Sequence, residues 1–201
     1  MCLNLRKGDE VIMPAFSYIS ILETTVLLGL KPVLVDVDYD TFHIDENKLE
    51  KKITQKTKVI VPVHLFGQNS NMSKIRKIAK RHNLFIIEDA AQSISSNNIV
   101  GKNKIQSGNM GDIGCFSFFP TKNLGSYGDG GAIITNNRSL YNRIKMIRNH
   151  GQKVKYKHDL LGVNSRLDTI QACVLNSKIK ILKKNNQARI NNAKIYLFYS
   201  K

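Results

Sequence analysis

The chain has little cysteine, little proline and no tryptophan: three, four and none in 201 residues. Cys2, Cys115 and Cys173 form no CxxC pair and have no His/Cys spacing that suits zinc, so neither a disulfide framework nor a metal site is expected. Cys115 lies in an apolar run and Cys173 in a helical pattern. We therefore predict that both are small buried side chains and not nucleophiles.

Long apolar runs are absent as well. A membrane-spanning helix needs about 20 consecutive apolar residues, and no segment approaches that length. Residues 1–10 also lack the apolar core of a signal peptide. These absences predict a soluble cytoplasmic protein. Because 42% of the residues are hydrophobic, the length suffices for one α/β domain with a substantial core, and we expect a single domain over residues 1–201.

Acidic residues are scarce, since 15 Asp and Glu stand against 31 Lys and Arg, which gives a net charge of +16. The excess lies after residue 137, where fifteen basic residues face only Asp159 and Asp168. These basic residues are interleaved with Asn and apolar residues and form no recognisable nucleic-acid motif, so a solvated helix surface is the favoured interpretation. A basic nucleic-acid-binding module is the alternative. The positive charge would also favour an anionic substrate.

Strand patterns alternate with helix patterns along the chain. The strand patterns lie at 10–16, 33–37, 58–65, 84–87 and 113–119, and a Gly-rich turn at 128–134 enters one more. The helix patterns are a buried one at 19–28, an amphipathic one at 71–82, a basic one at 138–148 and a long one from 168 onward. Residues 1–6 are interpreted as the end of a helix, and 93–111 and 151–162 as polar loops. This alternation predicts an α/β fold whose mainly parallel sheet is covered by helices on both faces.

Two charged residues follow neighbouring predicted strands. Asp89 comes after 84–87 and Lys122 after 113–119. Because parallel sheets bind ligands at the carboxyl ends of their strands, both side chains could face one ligand. A lysine amine and a carboxylate opposite a ring nitrogen are what pyridoxal phosphate (PLP) requires. Taken singly, an Asp turn residue and a solvated Lys are the alternatives.

Five segments, in their order and spacing, resemble the DegT/DnrJ/EryC1/StrS sugar aminotransferases. They are GDEVIMP at 8–14, EDAAQ at 88–92, GDIGCFSFFPTK at 111–122, GDGGA at 128–132 and NSRLD at 164–168. The resemblance spans nearly the whole chain, and the run at 117–122 is specific by itself. It implies the large domain of a fold type I PLP-dependent aminotransferase.

The resemblance also implies roles for individual residues. Lys122 would hold PLP covalently and then carry a proton to and from the substrate carbon as general base and acid. Asp89 would face the pyridine nitrogen. Gln92 would line the ring or its hydroxyl, with a polar residue at a helix N-terminus as the alternative. Ser117 would bind the phosphate, with a plain strand serine as the alternative.

Tyr18 and Asn164 complete the implied site. Tyr18 occupies the place where the family stacks an aromatic ring on the pyridine, and an ordinary core aromatic is the alternative. Asn164 corresponds to an asparagine that reaches the cofactor phosphate of a neighbouring subunit, with a turn asparagine as the alternative. This assignment implies a homodimer with shared sites.

The subclass depends on Lys122, because some relatives replace this lysine with histidine and carry out deoxygenation. The implied reaction transfers an amino group, usually from glutamate, to a keto group on a nucleotide-linked sugar, in surface-polysaccharide or amino-sugar biosynthesis. His64 also fits a family segment and is predicted to be structural.

The sequence departs from the family pattern in two places. The N-terminal Ser-Gly-Thr type turn that binds the phosphate and most of the C-terminal small domain have no counterpart in it. The expectation is therefore a truncated large domain whose final helix, from about residue 168, leads towards a small domain. A truncated and inactive remnant of such an enzyme is the second hypothesis.

Overall fold

The computed structural model describes residues 1–100 and 102–199, without the side chain of Val100. Gly101, in the predicted loop at 93–111, and Lys201, in the predicted final helix, lie outside the described residues. No helix in the described part of the chain is both long enough and apolar enough to cross a membrane.

Ten strands lie within the described residues. They are β1 Glu10–Pro14, β2 Lys31–Val35, β3 Thr57–Ile60, β4 Phe85–Asp89, β5 Asn97–Val100, β6 Asn103–Gln106, β7 Ile113–Ser117, β8 Gly131–Ile134, β9 Gln152–Val154 and β10 Lys157–His158. Six of them form one sheet in the order β2-β1-β3-β4-β7-β8, and β1 with β2, β1 with β3, β3 with β4 and β4 with β7 pair in parallel. The predicted α/β class with a mainly parallel sheet is confirmed.

Helices alternate with these strands. Those within the described residues are α1 Ser20–Leu27, α2 Glu46–Leu49, α3 Met72–His82, α4 Arg138–Ile147, α5 Thr169–Lys178 and α6 Leu182–Tyr199. Short 3-10 turns lie at Glu50–Lys52, Leu65–Gly67 and Ile179–Ile181. The predicted helices at 71–82 and 138–148 are therefore present with nearly the expected bounds.

The core lies on both faces of the sheet because successive side chains of a strand point to opposite sides. Ile12 of β1 joins a cluster that contains Ile60, Ile86 and the apolar side chains of α3. Its neighbours Val11 and Met13 join a second cluster with Val59 and Val61. Strands buried on both faces explain the continuous apolar runs of the sequence.

Helix α3 follows the amphipathic pattern closely. The four side chains predicted to share one face are all buried: Met72, Ile75, Ile78 and Ala79. The Asn71 side chain caps the helix by accepting a hydrogen bond from the Lys74 N–H at 3.3 Å. At the other end Asn83 adopts a left-handed conformation with φ of 53°, which stops the helix.

Three predictions about the N-terminal half were wrong. Within residues 1–6 a single turn lies at Cys2 and Leu3, and no helix ends there. Helix α1 exists, but Thr25 is its buried residue while Val26 and Leu27 are exposed, so an apolar composition does not establish what covers a helix. The predicted loop at 93–111 contains the antiparallel hairpin of β5 and β6. Its polar strands lack the apolar alternation by which strands are recognised.

The C-terminal predictions need similar corrections. The expected loop at 151–162 contains the short hairpin of β9 and β10. The long helix expected from residue 168 is divided by the 3-10 turn at Ile179–Ile181 into α5 and α6. The predicted strand at 128–134 is present as β8, entered from a Gly-rich turn.

The described residues fall into two compact units. Unit 1 contains Met1–Phe116 and Ile133–Arg166, which include most of the sheet. Unit 2 contains Ser117–Ala132 and the chain from Leu167 onward. The expectation of a single domain stays a prediction.

A buried carboxylate ties the first strands of the sheet together. Glu10 begins β1, and its Oε1 accepts a hydrogen bond from Lys31 Nζ at 3.0 Å. Its Oε2 accepts hydrogen bonds from the hydroxyls of Thr54 and Thr57. The Thr54 hydroxyl above all, and then the Lys31 and Thr57 donors, hold the pKa of Glu10 below its ordinary value of 4.5, although burial opposes this. Glu10 therefore stabilises the fold in its ionised form.

We predict that Glu10→Gln lowers the free energy of unfolding at pH 7 by about 1–3 kcal/mol, because a charged hydrogen-bond acceptor is lost. A lowered folded-state pKa gives stability that is present above the unfolded-state pKa and lost as pH falls through the folded-state value. The difference from wild type should therefore shrink below about pH 4.5. Urea unfolding at several pH values measures it, and the exposed Glu23→Gln is the matched control. A difference that is independent of pH would contradict the assignment.

Candidate active site

Two adjacent acidic residues, Glu88 and Asp89, lie at the carboxyl end of β4. Asp89 is the last residue of β4 and lies opposite Cys115 of β7 in the parallel register. Its backbone is held on two sides, because its N–H donates to Pro62 O at 2.9 Å and its carbonyl accepts from the His64 N–H at 3.0 Å. One carboxylate oxygen accepts the Ala91 N–H at 3.0 Å. The half-buried Asp89 carboxylate is thus oriented by its own chain.

Glu88 and Asp89 are adjacent but occupy different environments. The Glu88 side chain is fully buried and contacts the buried His64 ring, with 2.8 Å between Oε2 and Nε2. The prediction that His64 is structural agrees with this interior position, although no structural role was foreseen for Glu88. An acidic residue in an otherwise apolar strand is the signal that could have identified it.

Gln92 lies in a turn beyond Asp89, and its Oε1 accepts the Phe66 N–H at 2.8 Å. No helix begins at this position, so the alternative of a helix N-terminal residue is wrong. Phe66 has a positive φ of 57°, which costs conformational energy for a residue with a Cβ atom. The Gln92 amide therefore helps to hold a strained turn, a long-range contact that sequence spacing does not reveal.

Cys115 is a poor nucleophile in this environment. Burial above all, and then the nearby Asp89 and Glu88 carboxylates, raise the pKa of the Cys115 thiol to about 12. The prediction for Cys173 was wrong, because that side chain is exposed on α5. The sequence of this helix is only weakly amphipathic, so it does not predict whether Cys173 lies on the buried or the exposed face.

In unit 2, Lys122 lies on a loop that begins directly after β7. Ser117, the last residue of β7, accepts the Phe119 N–H on its hydroxyl at 3.2 Å, and the Lys122 N–H donates to Phe119 O at 2.9 Å. Lys122 is half-buried. The loop turns tightly at Gly125, where a Cβ atom would collide with the carbonyl of Pro120. Glycine is therefore required close to the lysine.

Helix α5 supports the Lys122 loop through two side chains that the sequence analysis did not single out. Gln171 Oε1 accepts the Tyr127 N–H at 2.8 Å. Lys178 Nζ donates to Gly125 O at 2.7 Å and lies 4.6 Å from the centroid of the Tyr127 ring. Gln171 and Lys178 are seven residues apart, two helical turns, so a shared helix face was the available signal.

Tyr18 and Asn164 both lie in unit 1. Tyr18 is 76% exposed, so the alternative of a core aromatic is wrong and its ring is available to a ligand. Asn164 is exposed and forms an isolated antiparallel bridge with Asn149. Within unit 1 the segments of Asp89 and Gln92 are brought together around residues 64–66.

Each unit carries residue types that PLP can use. In unit 2, Lys122 provides an amine that can bond to the aldehyde carbon of PLP, and Ser117 provides a hydroxyl for its phosphate; in unit 1, Asp89 provides a carboxylate for its ring nitrogen. All three side chains are half-buried, and the backbone around them is hydrogen-bonded. The residues present therefore fit the cofactor.

Comparison with known proteins establishes the family. The DegT/DnrJ/EryC1/StrS aminotransferase family matches residues 1–198. The chain belongs to this family, as the five sequence segments indicated. Aminotransferases of this family use PLP, and one similar solved structure, NtdA from Bacillus subtilis, contains the cofactor as PMP. NtdA is 41% identical with a TM-score of 0.82 over 90% of this chain and 40% of its own.

Other relatives have comparable sequence identity and coverage. A pleiotropic regulatory protein of Geobacillus stearothermophilus is 48% identical over 96% of this chain and 51% of its own length. The UDP-2-acetamido-2-deoxy-3-oxo-D-glucuronate aminotransferase of Pseudomonas aeruginosa is 48% identical over 90% of this chain and 49% of its own. The crystal structure of a DegT/DnrJ/EryC1/StrS aminotransferase from Brucella abortus is 39% identical, with a TM-score of 0.88 over 96% of this chain and 52% of its own. The chain spans about half the length of the curated relatives it matches.

The thiol environments predict that Cys173 reacts faster than Cys115. At pH 8 iodoacetamide should label Cys173 under native conditions and should leave Cys115 unlabelled, because a thiol with a pKa of about 12 forms almost no thiolate. Labelling in denaturant should then reach all three cysteines. Peptide mass spectrometry measures the fractions, and native labelling of Cys115 at the rate of Cys173 would disprove the burial argument.

The support of the Lys122 loop can be tested inside unit 2. Lys178→Met keeps most of the stem volume but removes the ammonium that binds Gly125 O. A hydrogen bond from a charged group contributes about 1.5–3 kcal/mol, so amide exchange at 123–128 should accelerate about tenfold or more. Hydrogen exchange with mass spectrometry measures this. The exposed Lys180→Met is the matched control, and equal exchange in both variants would show that Lys178 does not hold the loop.

Proposed function

We propose that this chain is the PLP-binding part of an aminotransferase that aminates a keto group on a nucleotide-linked sugar, with glutamate as the amino donor. The position of Lys122 carries the proposal: it lies on a glycine-bent loop directly after β7, at the end of the segment that characterises the family. A lysine rather than a histidine at this position favours amino transfer over deoxygenation.

Each residue has a separate role in the proposed reaction. When bound, PLP withdraws electrons from the carbon that carries the amino group. Lys122 Nζ would hold the cofactor covalently and, as general base and acid, would move the proton to and from that carbon. Asp89 would keep the ring nitrogen protonated. Ser117 Oγ would donate to the phosphate, Gln92 would line the ring or its hydroxyl, and Tyr18 would stack on the ring.

The names of the relatives support the substrate class. The Pseudomonas aeruginosa relative acts on a UDP-linked keto sugar, and a relative from Aneurinibacillus thermoaerophilus is named as a transaminase for a dTDP-linked amino sugar. The net charge of +16 suits such anionic substrates. We place the reaction in amino-sugar or surface-polysaccharide biosynthesis in the cytoplasm.

The assembly is part of the same proposal. The exposed Asn164 is available to a neighbouring subunit's phosphate site, which supports a homodimer with shared active sites. We further propose that residues 1–201 belong to a single PLP-binding large domain, with the helix from about residue 168 leading towards a small domain. The comparisons favour neither an inactive remnant nor a nucleic-acid-binding module.

The decisive test is covalent trapping of the cofactor on the chain. We predict that PLP followed by borohydride places a pyridoxyl group on Lys122, which peptide mass spectrometry locates, and that Lys122→Ala abolishes this label. The exposed Lys183→Ala should retain it as the matched control. Asp89→Asn should weaken PLP binding, because a neutral amide no longer stabilises a protonated ring nitrogen. Label scattered over several lysines in a folded sample would favour the inactive remnant.

A further inference from the structure

The Glu88 carboxylate is fully buried and accepts four hydrogen bonds. Oε2 accepts from His64 Nε2 at 2.8 Å and from the Gly108 N–H at 2.9 Å. Oε1 accepts from the Met110 N–H at 2.6 Å and from the Gly111 N–H. A carboxylate has about four lone-pair sites, so this one is saturated.

The neighbours of His64 define which ring nitrogen carries the proton. The Ser70 N–H donates to Nδ1 at 3.2 Å, so Nδ1 is an acceptor without a hydrogen. Nε2 must then carry the hydrogen and donate it to Glu88. The buried pair is therefore a neutral imidazole that donates to an ionised carboxylate.

His64 contacts both members of the acidic pair. Its ring binds the Glu88 carboxylate, and its backbone N–H donates to Asp89 O at 3.0 Å. The Asp89 N–H in turn donates to Pro62 O at 2.9 Å. His64 therefore binds both the Glu88 side chain and the Asp89 backbone. A movement of Glu88 would shift His64, would rotate the Asp89 backbone and would change the direction of the Asp89 side chain.

Residues 108–111, which contribute the three backbone N–H donors, are closely packed against β4 and β7. A Cβ atom on Gly114 of β7 would overlap the backbone of Gly108, and one on Gly111 would collide with Ile86 of β4. Backbone N–H groups packed this closely are fixed dipoles, so the site around Glu88 is preorganised to accept an anion.

We propose that Glu88 and His64 are positioning residues that hold the Asp89 carboxylate in the direction required for its contact with the cofactor. The inference rests on the proposed function for the role of Asp89, whereas the buried network itself can be measured without the cofactor. Glu88 acts through Asp89 and touches no reacting atom. The hydrogen bond from the Ala91 N–H to Asp89 Oδ1, at 3.0 Å, reports the direction of that side chain.

The test uses nuclear magnetic resonance of the whole chain without cofactor. In wild type the ring nitrogens of His64 should show a protonated Nε2 and an unprotonated Nδ1. Glu88→Gln leaves at least two N–H donors without an acceptor in every orientation of the new amide, because each oxygen of Glu88 accepts two donors. The Ala91 amide resonance should therefore shift in the direction seen with Asp89→Asn, and its exchange should accelerate about tenfold or more.

Glu10→Gln is the matched control, because Glu10 is a buried and hydrogen-bonded carboxylate in another part of the sheet. It should destabilise the fold and leave the Ala91 resonance unchanged. If Ala91 responds equally to Glu88→Gln and Glu10→Gln, Glu88 is a structural residue only and the proposal is overturned.

A second pair of variants covers the case in which Glu88→Gln does not fold. His64→Leu removes one of four donors at similar volume, and His64→Gln retains an amide donor. We expect the Ala91 resonance to shift in His64→Leu and to recover, at least in part, in His64→Gln. An unchanged Ala91 resonance in His64→Leu would refute the positioning role of His64.

PLP titration separates this inference from the proposed function. The dissociation constant for PLP should rise about tenfold or more in Glu88→Gln and stay unchanged in Glu10→Gln, because misplaced cofactor-binding groups lose their favourable geometry. Absence of Lys122 labelling in wild type would count against the proposed function, while the Ala91 resonance would still decide the positioning role. Labelling with equal affinity in wild type and a folded Glu88→Gln variant would overturn the positioning role alone.

Discussion

Burial of a carboxylate inside a protein is costly unless each of its lone pairs meets a donor, and Glu88 meets this condition with His64 and three backbone N–H groups. The four donors come from two separate segments, residues 64 and 108–111, that are distant from Glu88 in sequence. The carboxylate thereby fixes both segments against the end of β4. Because an apolar side chain at position 88 would leave all four donors unsatisfied, this charge determines the local fold and is not a tolerated defect.

The same principle governs the Lys122 loop in unit 2. A loop that turns tightly leaves carbonyls and N–H groups without secondary-structure partners. Here side chains supply them. The Ser126 hydroxyl lies 2.7 Å from Phe118 O and 2.6 Å from Gly128 O and donates its one hydrogen to one of the two at a time. From α5, Lys178 donates to Gly125 O and Gln171 accepts the Tyr127 N–H. Glycine at 125 permits the turn, and these polar contacts make it rigid. Asp89 at the end of β4 and Lys122 in the loop after β7 are thus both half-buried side chains on a backbone whose polar groups have hydrogen-bond partners.

The sequence predicted the features that depend on local periodicity. Alternating strands and helices, the α/β class and the buried face of α3 all follow from patterns of apolar residues. The polar hairpin of β5 and β6 did not, because its strands are stabilised by pairing with each other and carry no apolar alternation. The exposure of α1 and of Cys173 was also missed, since composition alone does not determine which neighbour covers a helix.

The site was predictable to a different extent. Asp89, Lys122 and Ser117 were singled out because they lie in the family's motifs, and their roles stay predictions. Asp89 and Ser117 are the last residues of β4 and β7, and Lys122 lies in the loop that follows β7. Their supports were not identified. Glu88 with residues 108–111, Gln92 with Phe66 and Lys178 with Gly125 are contacts across 20 to 53 positions. Local signals existed for Glu88, as an acidic residue in an apolar strand, and for Lys178, on one helix face with Gln171, but the partners of these residues are distant in sequence and local spacing does not reveal them.

The two adjacent carboxylates also create an electrostatic environment that suits the proposed cofactor. After burial itself, Asp89 is the largest cause of the raised pKa of Cys115, and Glu88 acts in the same direction, because negative charge nearby favours the protonated form of any group. A ring nitrogen that approached the Asp89 carboxylate would experience the same influence and would be held protonated. Glu88 adds negative charge without exposing a second competing carboxylate, since all its lone pairs are already occupied by donors. The saturated Glu88 carboxylate contributes negative charge and rigidity, and in the proposed function the half-buried Asp89 carboxylate makes the contact with the ring nitrogen.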